Sequence, residues 1–151
     1  MNRLVIIGCL TAAVGLATQS VARAQISFVT VRTGLRESDP AVVDQAAKAV
    51  ESLYFPHAFD PLSRIVREAP QPHVRASALR ALARVDTVEA AEFLLGVLEH
   101  GAPQDRAATL EGLKRSRAAR FIELARAALP TAQPQVQTAL RDVLRARGIA
   151  A

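Results

Sequence analysis

Apolar residues recur at helical spacing in four stretches of this chain, and each stretch is opened by a proline. Across residues 71–82, Val74, Ala78, Leu79 and Leu82 fall on one stripe at the 3.6-residue period. Pro72 fits the first turn of that helix, where its missing N–H costs nothing. The pattern returns on either side. Asp39-Pro40 leads to Val42, Ala46, Ala47 and Val50; Ala102-Pro103 leads to Leu110 and Leu113; Gln133-Pro134 leads to Val136, Leu140 and Leu144. The prolines at 40, 72, 103 and 134 are separated by 32, 31 and 31 residues. A fixed period of this size marks a solenoid of stacked helical repeats.

A second helix fits between each pair of prolines. Pro56 ends the helix that starts at Pro40, near Tyr54, and Asp60 caps the next, with Leu62, Ile65, Val66 and Ala69 on its buried stripe. Asp86 is expected to cap residues 87–100, with Val88, Ala91, Leu94, Val97 and Leu98 apolar and Gly101 at the end. Ser116 is expected to cap a helix carrying Phe121, Leu124, Ala125 and Ala128, stopped by Pro130. Helices opened by Pro103 and Pro134 run to about Lys114 and Arg147. Residues 25–36 hold β-formers such as Ile26, Phe28 and Val31. Repeat register argues otherwise: Leu35 precedes Pro40 by five residues, as Leu98 precedes Pro103 and Leu129 precedes Pro134. The segment is therefore expected to be the second helix of an incomplete leading repeat. Three complete pairs are flanked by a partial pair at each end.

The run Pro-x-Val-Arg-x-x-Ala-Leu-x-x-Leu from Pro72 to Leu82 resembles the first helix of a HEAT repeat, in the short form also found in phycobilin lyases. The resemblance covers about residues 26–147. It implies an all-α, right-handed α-solenoid of about three to four helix pairs, forming one domain over residues 25–151 with repeats starting near 40, 72, 103 and 134. It also implies a non-enzymatic scaffold that presents its second helices, on the concave side, to a protein partner. HEAT-like repeats often carry an Asp before the opening proline and an Arg three residues after it, which pair between copies. Here Asp39, Arg75 and Arg106 match, whereas Gln71, Ala102, Gln133, Val43 and Gln137 do not. Packing is therefore expected to rest on the Ala and Leu stripes, because no repeat buries its apolar face alone.

Composition agrees with helices: half the chain is apolar, yet it has only five Phe, one Tyr and no Trp. At 151 residues it is long enough for one domain with a real core. The first residues read as a secretory signal. Arg3 supplies the positive n-region, residues 4–16 are mostly apolar, and Ala22-Arg23-Ala24 is a cleavage signal before Gln25. The apolar run is shorter than the roughly 20 residues that span a bilayer. Cys9 is the only cysteine; Ile6-Ile7-Gly8-Cys9 is similar to a lipobox, but residues 4–7 are too short for its apolar region. Cleavage after Ala24 leaves a mature chain with no disulfide, thiol nucleophile or cysteine-bound metal. An exported protein, periplasmic or secreted, is the expectation.

Catalytic chemistry is not specified. His57, His73 and His100 are scattered and belong to no metal motif. Glu89, Glu92 and Glu99 share a helix but read as a solvated face. Serines lack a G-x-S-x-G context, and the glycines form no phosphate-binding loop. No cofactor or metal is expected. The net charge is +5, unevenly spread: residues 25–99 hold 8 basic and 10 acidic side chains, residues 100–151 hold 9 and 4. Lys114, Arg115, Arg117 and Arg120, with Arg141, Arg145 and Arg147, make an anion-binding module the first alternative, for anionic lipid at a membrane surface, polysaccharide or nucleic acid. Nucleic acid is disfavoured because stacking aromatics are lacking. An accessory or lyase-like protein is the other alternative. Repeat register places the partner-binding stripe on the second helices at Arg64, Arg67, Glu92, Leu95, Glu99, Glu123 and Arg126, with Leu95 as apolar anchor and the charges as rim.

Protein isolated from its native host is expected to begin at Gln25, as read by intact mass and N-terminal sequencing. A full-length cytoplasmic product, or a lipid on Cys9, refutes the signal assignment.

Overall fold

The computed structural model describes residues 31–150 except 32, 38 and 53–55. The expected signal segment, residues 25–30 and the expected helix end near Tyr54 lie outside the described residues. The helices are α1 (Pro40–Ser52), α2 (Phe59–Glu68), α3 (Pro72–Leu82), α4 (Val88–His100), α5 (Pro103–Arg115), α6 (Ala119–Ala128) and α7 (Pro134–Ala146), with a 3-10 turn at Pro56–Ala58 before α2. Val31, Thr33 and Gly34 are helical, and the Leu35 N–H donates to the Val31 carbonyl at 3.0 Å. The described part of the leading segment is thus a helix end, as repeat register requires.

The opening prolines set the start of every first helix. Gln71, Ala102 and Gln133 are extended, with ψ of 120°, 152° and 150°, the conformation a following proline imposes. Their carbonyls accept the first helical bonds from Arg75, Arg106 and Gln137. Asp39 does more, since its Oδ1 accepts from the Ala41 N–H at 2.9 Å, the expected N-cap. The chain ends as cleanly. The Gly148 N–H bonds the Arg145 carbonyl and the Ile149 N–H bonds the Leu144 carbonyl, closing α7 in a Schellman turn. Gly148 has φ of +69°, where a side chain would be strained.

The helices form two layers. First helices α1, α3, α5 and α7 stack in order, and second helices α2, α4 and α6 stack beside them. Together they make an α-solenoid. α3 is its centre, packed on α1 and α5 in its own layer and on α2 and α4 in the other. Every residue ten positions after an opening proline is enclosed: Val50, Leu82, Leu113 and Leu144 are at most 1% exposed. Leu62, Leu94 and Ala125 occupy the matching core position of the second layer. Small residues let the first helices approach closely. Ala46, Ala47 and Ala78 are buried, and a Cβ on Gly112 would lie 2.9 Å from the Ala83 Cβ and the Arg80 Cα.

Polar links between repeats survive although the repeat's usual positions are degraded. The Arg75 Nε donates to both oxygens of Asp105 on the next first helix at 3.3 Å. Its Nη1 donates back to the Ala69 and Pro70 carbonyls. Gln137, at the same place in its own repeat, donates to the Ala132 carbonyl at 3.0 Å. Further along, Ser77 donates to Asp44, which also pairs with Lys48, and Arg80 reaches Glu111 at 3.5 Å. Glu111 then pairs with Arg115 at 3.0 Å. Among the described residues, every buried side-chain nitrogen and oxygen has a hydrogen-bond partner.

Three expected caps are displaced. Asp60 lies inside the first turn of α2, whose N-cap is Ala58 with no side-chain cap bond. Thr87, not Asp86, caps α4, its hydroxyl accepting from the Ala90 N–H at 3.2 Å. Asp86 instead accepts from the Arg120 N–H at 2.9 Å, one repeat further on. The reason lies at α6, whose own preceding residue Ala118 has no side-chain acceptor. A carboxylate from the neighbouring repeat satisfies that helix start and complements its dipole. Ser116 lies ahead of α6 and accepts from the Ala118 N–H at 3.0 Å, shaping the turn.

Leu82→Ala is expected to cost about 2–5 kcal/mol in denaturant melts, the range for a buried leucine. Leu144→Ala should cost less, because among the described residues α7 packs mainly on α5 and α4. Equal small losses would contradict the register.

Burial pushes the Asp44 carboxyl upward, but hydrogen bonds from Lys48 and Ser77 and the positive charge of Lys48 and His73 outweigh it. The group is held below its ordinary value. A depressed carboxyl contributes stability that is present above the unfolded-state value, near 4, and lost as pH falls through the folded value. The stability gap between the wild type and Asp44→Asn is therefore expected to be largest at neutral pH and to shrink below about pH 4. Melts of both proteins across that range check it; a gap that is constant with pH would exclude the linkage.

Candidate partner-binding surface

The second layer carries the expected site. α2, α4 and α6 each commit one side to the core through Leu62 and Ile65, Leu94 and Leu98, and Phe121 and Ala125. Their other side holds the charged positions. Arg64 and Arg67 on α2, Glu92 on α4, and Glu123 and Arg126 on α6 are exposed, and Glu99 is half-buried. α2 packs beside α4 and α4 beside α6 in this layer. Leu95 is half-buried and packs partly against the core, so less of it is offered to a partner than the sequence pattern suggests.

Three details differ from expectation. Ser63, a polar residue one turn ahead of Arg67 and at the register position of Leu95, is 3% exposed. Its hydroxyl donates to the Asp60 carbonyl at 3.1 Å, which satisfies the polar group locally and removes the penalty for burying it. Glu123, which the i,i+3 pattern also allows to pair with Arg126, pairs with Arg120 at 3.2 Å. Arg126 makes no ion pair among the described residues.

The joint between α2 and α4 is aromatic, a feature that periodicity alone did not single out. Phe59 and Phe93 meet edge to face, with ring centroids 6.1 Å apart and planes at 81°. The Arg67 guanidinium lies over the Phe93 ring, its Cζ 5.2 Å from the centroid. Arg67 thus has its place set by α4 although it projects from α2. In the sequence Phe93 is marked only as the one aromatic between residues 87 and 100.

The C-terminal arginines are differently employed. Arg147 donates from Nε and Nη2 to the Leu113 carbonyl at 3.1 Å and from Nη1 to the Ala118 carbonyl at 2.9 Å. It thereby fills carbonyls at the end of α5 and in the turn before α6. Burial lowers its affinity for the proton, and the charge of Asp86 opposes that shift. Arg115 pairs with Glu111, Arg120 with Glu123 and Arg145 with Asp142, while Arg141 donates to Gln137 at 3.3 Å. Each of these four arginines is engaged by a side chain of its own helix. Among the described residues, no three His, Cys, Asp or Glu side chains come together as metal ligands, and His57, His73 and His100 are exposed. No helix of the described residues is long and apolar enough to cross a membrane.

A family model of HEAT repeats matches residues 30–114, more than half of the chain, spanning α1 to α4 and all but the last residue of α5. No curated protein matches it.

Proposed function

The chain belongs to the HEAT-repeat family, and on that premise we propose that it is a non-enzymatic scaffold that holds a protein partner on its second helices, in the cell envelope or outside the cell. HEAT repeats generally mediate protein–protein interaction, because stacked pairs build a long, rigid surface that no single pair provides. The observation that carries the reading is the division of labour within the second layer. One side of α2, α4 and α6 closes the core, while Arg64, Arg67, Glu92, Glu123 and Arg126 on the same helices stand exposed and Glu99 and Leu95 are half-buried. A rim of charge around a partly apolar centre is the usual layout of an interface. Export is supported by the Ala22-Arg23-Ala24 signal alone. The arginine-based anion module is the weaker reading, since Arg147 is spent on carbonyls of its neighbours.

Affinity capture from the native cell envelope with mass spectrometry tests the proposal. Arg126→Glu is expected to weaken capture several-fold with thermal stability unchanged, because the side chain is exposed and unpaired among the described residues. Leu95→Ala should also weaken capture, with some loss of stability because the leucine packs on the core. Arg141→Glu, on the first-helix layer, should do little. If Arg141→Glu abolishes capture and the other two do not, the second-helix face is not the site.

A further inference from the structure

An open groove runs along the α2–α4 joint, walled by Val66 and Arg67 on one side and by Phe93, Gly96, Val97 and His100 on the other. Gly96 is its least expected member. Glycine inside a helix lowers helix stability and needs a reason. Gly112 has one, the close approach of α3. Gly96 has none, for nothing lies within 4 Å of the Cβ it lacks. The space it leaves faces the groove and not a neighbouring helix.

The charges of the groove are unequal. Asp105, at its end, is held by Arg75 at 3.3 Å. Glu99 lies 3.7 Å from the His100 Nε2. Arg67 rests on the Phe93 ring and has no carboxylate partner among the described residues. The contact holds the guanidinium over the ring, and its N–H donors make no ion pair among the described residues. The lining thus combines an apolar wall, a gap one side chain deep and a single oriented cation.

We propose that this groove binds a short segment of the partner protein in which an apolar side chain stands beside an Asp or Glu. The apolar group fills the space over Gly96, against Phe93 and Val97, and the carboxylate takes the fork of Arg67. This deepens the scaffold reading and rests on it, placing the principal subsite at one joint of the second layer.

Selection from a random dodecapeptide display library on the immobilised full chain tests the assignment. Enriched peptides are expected to carry an apolar residue next to Asp or Glu. Arg67→Glu should weaken them roughly tenfold or more, by lost attraction and new repulsion. Gly96→Leu should abolish binding by filling the gap, with helical content and Tm kept or raised, since leucine is the better helix former and its Cβ meets nothing. No enrichment, enrichment of peptides without a carboxylate, or binding that survives both substitutions overturns the proposal. So does self-association of the chain that both substitutions abolish, because the occupant is then a second copy. The wider reading is tested separately: if envelope capture depends on Arg126 but not on Arg67 or Gly96, the scaffold stands and the groove assignment falls.

Discussion

Close packing of the first helices is the contact on which the rest of the molecule depends. α3 lies between α1 and α5, and the approach is set by Ala46, Ala47, Ala78 and Gly112. Small residues bring the backbones near enough for Val50, Leu82 and Leu113 to be enclosed by neighbouring repeats rather than by their own. An isolated helix pair would leave these side chains wet, so stability is a property of the stack. The second layer is positioned by the first, because Leu62, Leu94 and Ala125 find their cover only when the first helices are in register.

Polar groups then tie repeat to repeat at the points where helices begin and end. Arg75 joins the turn after α2 to the first turn of α5; Asp86 supplies the cap that α6 lacks; Arg147 satisfies carbonyls around the α5–α6 turn. Each of these bonds spans elements of different repeats. They fill backbone groups that the ends of helices leave open, which the apolar stripes cannot do. A ladder of repeated Asp–Arg pairs is therefore not required. Different side chains meet the same need, as Gln137 does where Arg75 stands two repeats earlier.

This arrangement frees the outer side of the second layer from structural duty. Among its charged side chains Glu123 pairs with Arg120 on its own helix, and such exposed pairs contribute little to stability. The Phe59–Phe93–Arg67 cluster is the exception, a built contact on an otherwise permissive surface. Rigid support beneath an open groove is what a binding surface needs, since little ordering cost then falls on the scaffold.

Helix number, the four proline starts, the two-layer repeat and the enclosed leucines were all legible from the sequence. They depend on local physics: a proline fixes its own φ and restrains its predecessor, and apolar spacing defines a helix face. The candidate positions Arg64, Arg67, Glu92, Leu95, Glu99, Glu123 and Arg126 were legible as a stripe for the same reason. What periodicity could not supply was partnership across repeats. Asp86 next to Thr87 looks like a cap for its own helix, and only stacking shows that Thr87 suffices there and that Ala118 leaves α6 in need. Arg147 reads as one more surface arginine until the chain end folds against α5. Ser63 and Leu95 sit on a stripe whose burial depends on how neighbouring helices lean together, a quantity set by side-chain volumes some 30 residues apart. Local rules decided which residues make helices and which side of each is apolar; the packing of those helices decided which polar groups are used for structure and which are left to face a partner.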